Sequence, residues 1–192
     1  MDDDDGGAAC CLICACIIII VLPITLISLS LKTHNPKIDV EDLYIPAING
    51  MAGSNATRLN TFIFIDLSLR NVMRFNGLRY EALNLTFFYG GNRSAAVAEA
   101  AVPGFYQGVW KTARKTAVVR TSGLPWDDAF DRISRGLTVD LAVQLAMTVK
   151  LRRCGVYMKR KEVVVAAVVS LDGSGEEVDE KVVGLNELKP SK

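Results

Sequence analysis

An antiparallel, all-β sandwich or barrel of about seven strands with one short helix, preceded by a single N-terminal transmembrane helix, is the architecture the sequence predicts. Three observations carry that expectation. Apolar and polar residues alternate with a period of two through most of the chain. A period of 3.6 stands out in one short segment. Residues 8–31 hold no charge.

The uncharged run from Ala8 to Leu31 is 24 residues long. At about 1.5 Å of rise per residue, a helix of that length covers the roughly 30 Å hydrocarbon layer with allowance for tilt. Pro23 is tolerable inside it, because neighbouring groups re-satisfy the backbone it disrupts. A cleaved signal peptide needs a basic n-region, a shorter apolar core and a small-residue cleavage site. The leading "MDDDDGG" is acidic and the run is long, so an uncleaved signal anchor is the reading. Cues to its orientation conflict. Lys32 and Lys37 follow the span and, counted alone, favour a cytoplasmic C-terminal side. Three sequons, "NAT" at Asn55, "NLT" at Asn84 and "NRS" at Asn92, are glycosylation candidates that work only on the lumenal or extracellular side.

Four of the five cysteines, Cys10, Cys11, Cys14 and Cys16, gather at the mouth of this run. Facing the cytoplasm they are S-acylation candidates, and the alternative is that they fill the span as small hydrophobes. No His and no second Cys pair lies near them in sequence, which argues against zinc. Cys154 stands alone in the following domain, so a disulfide-stapled scaffold is excluded.

Strands follow. "KIDVEDLYI" and "SAAVAEAAV" alternate weakly, and "KTARKTAVVR" reads as another strand. "IFIDLSLR" places Ile63, Ile65, Leu67 and Leu69 on one side. "LNLTFFY" places Leu83, Leu85, Phe87 and Tyr89 inward, with Asn84 and Thr86 outward. "TVDLAVQLAMTVKLR" has apolar residues at seven successive odd positions, Val139 to Leu151, and Asp140, Gln144, Thr148, Lys150 and Arg152 opposite. "EVVVAAVVSL" is a continuous apolar run, consistent with a buried strand. Seven strands at this spacing fit a sandwich or barrel.

The helix is "LPWDDAFDRISRG". Pro125 stands at its start, Asp127 and Asp128 in the first turn, Arg132 and Arg135 in the last, and Gly136 at the end, as dipole and capping preferences ask. Trp126, Phe130 and Ile133 share a face suited to covering an open end of the sandwich. The organisation is therefore an acidic tail (1–7), a signal anchor (8–31), a linker (32–37), a β domain (38–171) and an acidic tail (172–192). The last is expected to be mobile, with "KVVGL" offering an edge strand.

The Cys-flecked span runs into "HNPKIDVEDLYI", then "FIFIDLSLRNVMRFNGLRYEALNLTFFYGG", "VPGFYQGVWKTARKT" and a closing pair of long strands. Over roughly Cys10 to Leu171 these blocks resemble the plant non-race-specific disease resistance/harpin-induced-like proteins. Those belong to the group-2 late-embryogenesis-abundant (LEA-2, water stress and hypersensitive response) superfamily. The resemblance implies a single-pass plasma-membrane protein with an extracellular fibronectin-III/immunoglobulin-like sandwich, linked to plant defence and abiotic stress. Three features depart from the pattern. "RNVMRFNG" stands where the family usually has Asn-Pro-Asn, the N-terminus is acidic, and "NELKPSK" is too polar for a lipid-anchor signal.

No enzyme is expected. The one His, His34, precedes the domain, so no Ser-His-Asp or Cys-His site forms within it, and "YGGNRS" lacks the Lys and helix of a phosphate loop. Asp66 and Asp140 are the carboxylates a glycosidase would need, but each reads as solvated surface. No cofactor and no metal are expected. Charge is more informative. Residues 38–171 hold 17 Lys plus Arg against 11 Asp plus Glu, a balance of +6. Lys150, Arg152, Arg153, Lys159, Arg160 and Lys161 flank a hairpin at Gly155, and Lys111, Arg114, Lys115 and Arg120 form a second group. Such a surface seeks polyanions. A membrane anchor disfavours nucleic acid, leaving anionic lipid or acidic cell-wall polysaccharide, with a defence-signalling protein as a further partner. The functional expectation is a non-catalytic binding or adaptor module. Its alternative is a dehydration-protective or lipid-handling domain acting by non-specific surface contact.

Overall fold

Period-two alternation is realised as two antiparallel sheets that share one apolar core. The computed structural model describes residues 14–25, 28, 34–49, 60–90, 96–153, 155–176, 183–184 and 186–187. The chain divides into two compact units, Met1–His34 and Asn35–Lys192.

In the first unit residues 14–25 are α-helical, Pro23 included, with every side chain exposed. No helix among the described residues is long and apolar enough to cross a membrane. Cys14 and Cys16 are exposed and carry no disulfide. Cys10, Cys11, Asn55, Asn92 and the acidic tail 1–7 lie outside the described residues.

Among the described residues the second unit carries ten strands, of which seven are long: β1 (Lys37–Tyr44), β2 (Phe62–Arg70), β3 (Gly77–Tyr89), β4 (Ala96–Val102), β6 (Thr112–Arg120), β7 (Val139–Arg153) and β8 (Val156–Leu171). Three pairs of residues complete the set: β5 (Tyr106–Gln107), β9 (Val183–Gly184) and β10 (Asn186–Glu187). The smaller sheet runs β6-β2-β1-β9. The larger runs β10-β8-β7-β3-β4, with β5 beside the start of β3.

All seven odd positions of β7 from Val139 to Leu151 are buried, and they face Ile63, Ile65, Leu67 and Leu69 of β2 within the same core. Phe87 is fully buried there. Truncating an aromatic so placed costs about 3–5 kcal/mol. β3 begins six residues earlier than the alternation shows, because its phase changes. Leu78 and Tyr80 point inward, an irregularity falls between Tyr80 and Leu83, and Leu83, Leu85 and Phe87 then point inward from odd positions. β8 is also longer than expected. Val163, Val165 and Val169 are core, but Val168 is 48% exposed, so this strand is buried on one face and not on both.

The helix α1 (Trp126–Ser134) follows Pro125 at its N-cap position, with Asp127 and Asp128 in its first turn and Arg132 in its last. Gly136 ends it at φ 72, a left-handed conformation that suits glycine. Trp126 and Ile133 pack half-buried against the core, while Ala129 is its buried residue. The Tyr89 hydroxyl donates to Asp128 Oδ2 at 2.6 Å, tying the helix to the end of β3. Burial and then the Asp128 carboxylate push that hydroxyl's pKa above its ordinary value. After β8, Ile45 N–H donates to Gly175 O at 3.0 Å. Val183 then pairs with Val40 of β1, so Val183 and Gly184 form an edge strand of the smaller sheet, and Glu187 pairs with Val165 of β8.

Candidate functional site

Cations and aromatics concentrate at one end of the sandwich, built from the β2–β3 loop, the start of β3, β5 with its following loop, and the β7–β8 hairpin. Antiparallel register sets the cations. Arg79 of β3 lies opposite Lys150 of β7, which lies opposite Arg160 of β8, so three strands put a cation in one row on the outer face. Gly155, at φ 84, turns the hairpin, and Arg153 flanks it opposite Val156.

Glu81 sits against that row. Its carboxylate accepts from Lys150 Nζ at 2.7 Å and from Arg160 Nη2 at 2.5 Å. The Lys150 hydrogen bond, followed by that of Arg160, holds the carboxyl below its ordinary range. Two of the six sequence candidates are thus offset by an acid from another strand, 79 residues from Arg160. The others have different settings. Arg152 lies over the rings of Tyr106 and Tyr157, at 5.3 and 5.7 Å. Lys161 Nζ donates to Asn35 Oδ1 at 2.6 Å. Arg153 is half-buried, and the side chain of Lys159 lies outside the described residues. Arg79 donates to the Tyr157 hydroxyl at 3.3 Å and holds that phenol below its ordinary range.

A buried amide pair shapes the neighbouring loop. Asn71 Nδ2 donates to the carbonyls of Asn76 and Gly108, both at 2.9 Å, and the Asn71 N–H donates to Lys111 O at 2.9 Å. Gln107 Nε2 donates to Leu69 O and Lys111 O at 2.7 Å, and its Oε1 accepts from the Tyr80 hydroxyl at 2.8 Å. Both amides are almost wholly buried. Burial also raises the Tyr80 pKa above its ordinary value. What these bonds fix is a turn whose tip, Trp110, is 52% exposed at φ 54, with Arg74 over its ring at 5.4 Å. A left-handed non-glycine residue costs about 1–3 kcal/mol, and it persists where the surroundings over-determine it. Phe105 stacks on Tyr80 with centroids 4.7 Å apart, and Tyr106 lies where a side chain on Gly77 would fall. "VPGFYQGVW" therefore places one ring, Phe105, against the buried Tyr80 and two, Tyr106 and Trp110, outside.

The second basic group does not assemble. Arg114 pairs with Glu41 at 3.0 Å, Lys115 Nζ reaches over the Phe105 ring at 4.5 Å, and Arg120 pairs in register with Phe62 at the far end of β6. Lys111 alone belongs to the Trp110 turn. Asp66 and Asp140 stand on different sheets, Asp140 accepting from Ser170 Oγ at 2.6 Å. Among the described residues no three His, Cys, Asp or Glu side chains gather as a metal site. Asn84 is exposed on the outer face of the larger sheet, beside Ala146 and Ala101.

Glu81 and Arg79 escaped the sequence reading. Their signal was the "GLRYEA" segment before the recognised part of β3, which the irregularity after Tyr80 concealed. No protein-family model matches this chain, and no curated protein matches it.

Proposed function

We propose that the chain is a single-pass plasma-membrane protein with a cytoplasmic N-terminus. Its fibronectin-III-like sandwich stands outside the cell and acts as a non-catalytic binding or adaptor module in plant defence, including the hypersensitive response, and in abiotic stress. The order of the chain carries this reading. A 24-residue uncharged run with cysteines at its mouth leads directly into an all-β domain, in blocks that resemble the plant disease-resistance proteins named above. The exposed position of Asn84 supports an external domain, since a glycan there meets solvent and not the core. The basic and aromatic end supports a binding role, with anionic lipid, acidic wall polysaccharide or a defence-signalling protein as partner and no nucleic acid. Protease added to intact cells tests it. Digestion of the domain supports the reading, and a protected domain overturns it.

A further inference from the structure

Six large apolar side chains at this one end are at least 43% exposed: Phe75, Tyr106, Trp110, Val156, Tyr157 and Met158. They are interleaved with Arg74, Arg79 and Arg152, each of which lies over one or more of the rings. We propose that this end is a membrane-docking face that takes the headgroup region of an anionic phospholipid bilayer, with Trp110 and the hairpin tip entering the interface. The inference rests on the membrane-anchored reading above and names the partner of its basic surface.

Three features select a bilayer over a wall polysaccharide. Exposed Trp and Tyr between Lys and Arg match an interface where one end of a side chain is apolar and the other wet. Exposed rings also stack on sugars, but a polysaccharide gives no reason to hold the aliphatic side chains of Val156 and Met158 in solvent beside them, 67% and 46% exposed. The chain also enters the domain at this end. Asn35 accepts from Lys161 of the basic hairpin, and Lys37 opens β1 opposite Arg70, which leads into the Phe75 loop. Leu31, the last residue of the uncharged run, is four residues before Asn35, a reach of at most about 14 Å. A face tethered that close to a bilayer needs little intrinsic affinity, because the tether sets a high effective concentration.

The chain has two tryptophans, so Trp126→Phe leaves Trp110 as the sole emitter. Full-length protein of this form is mixed with phosphatidylcholine vesicles, with and without phosphatidylserine, carrying acyl-brominated lipid as quencher. Flotation on phosphatidylcholine alone reads the anchor, and quenching reads the docking face. The expected result is Trp110 quenching that strengthens with phosphatidylserine and weakens as salt rises, while Trp126 in a Trp110→Phe protein stays unquenched. Lys111→Glu with Arg153→Glu is expected to abolish the phosphatidylserine effect with circular dichroism unchanged. These two cations are chosen because Glu81 already offsets Lys150 and Arg160. Flotation without Trp110 quenching overturns the docking face and leaves the anchor. Quenching only with phosphatidylserine, without flotation on phosphatidylcholine, overturns the anchor and leaves the face. Neither signal overturns both. Salt-sensitive binding of polygalacturonate by a protein whose Trp110 is unquenched in every vesicle assigns the face to polysaccharide and overturns the proposal.

Discussion

Replacing Gln107 by Leu removes a side chain of similar volume and three hydrogen bonds together: those to Leu69 O and Lys111 O at 2.7 Å and that from Tyr80 at 2.8 Å. Both residues are buried, Gln107 at 3% and Tyr80 at 1% exposure, so water does not replace the lost partners. An orphaned buried polar group costs about 1–3 kcal/mol. The Tyr80 hydroxyl, a donor, sits toward the upper end, and the two carbonyls, which tolerate partial satisfaction, toward the lower. The sum is roughly 3–4 kcal/mol, a large share of the 5–15 kcal/mol that holds a typical domain folded. Urea unfolding of the full chain in detergent, followed by circular dichroism, measures it. Tyr80→Phe alone should lose about 1–2 kcal/mol, and the double variant less than the sum, because the two share a bond. A loss below about 1 kcal/mol for Gln107→Leu, or strict additivity, refutes the claim that this amide pins the Trp110 turn.

Other expectations follow from single contacts. Gly104→Ala places a Cβ 2.6 Å from Tyr80 O and 2.9 Å from the Glu81 carbonyl carbon. Overpacking against backbone should destabilise by about 1–3 kcal/mol, read as a lower melting temperature. Glu81 is an acid with its pKa depressed by Lys150 and Arg160, so its contribution is complete above the ordinary value of 4.5 and is lost as pH falls through the lower folded value. The wild type should therefore lose more melting temperature on acidification below pH 4.5 than Glu81→Gln, and the variant should bind anionic vesicles more tightly at neutral pH. Thioester-specific capture should retain the protein, and changing Cys10, Cys11, Cys14 and Cys16 to Ser should abolish capture without releasing it from the membrane.

Long strands were legible because a period of two over seven or more residues has no helical counterpart, as β7 and β2 illustrate. β3 was half legible, since the change of phase after Tyr80 breaks the alternation that reveals it. β5 and β10 are two residues each and owe their existence to neighbours already in place, so no local pattern announces them, whereas "KVVGL" offered β9. The basic hairpin was legible as charge, but its neutralisation by Glu81 was not. That pairing is a matter of register between β3, β7 and β8, and register belongs to the fold. The buried roles of Asn71 and Gln107 were hidden for the same reason, as polar residues outside a long apolar pattern ordinarily read as solvated.

The most direct test of an external, membrane-tethered binding domain is the gel mobility of the full chain from plant cells before and after glycosidase treatment, with Asn84→Gln alongside. Asn84 is the one sequon asparagine among the described residues, and it is exposed. The account predicts a faster band after treatment and a smaller shift for Asn84→Gln. Identical mobility before and after, together with protection of the domain from protease on intact cells, would place the sandwich in the cytoplasm and contradict it.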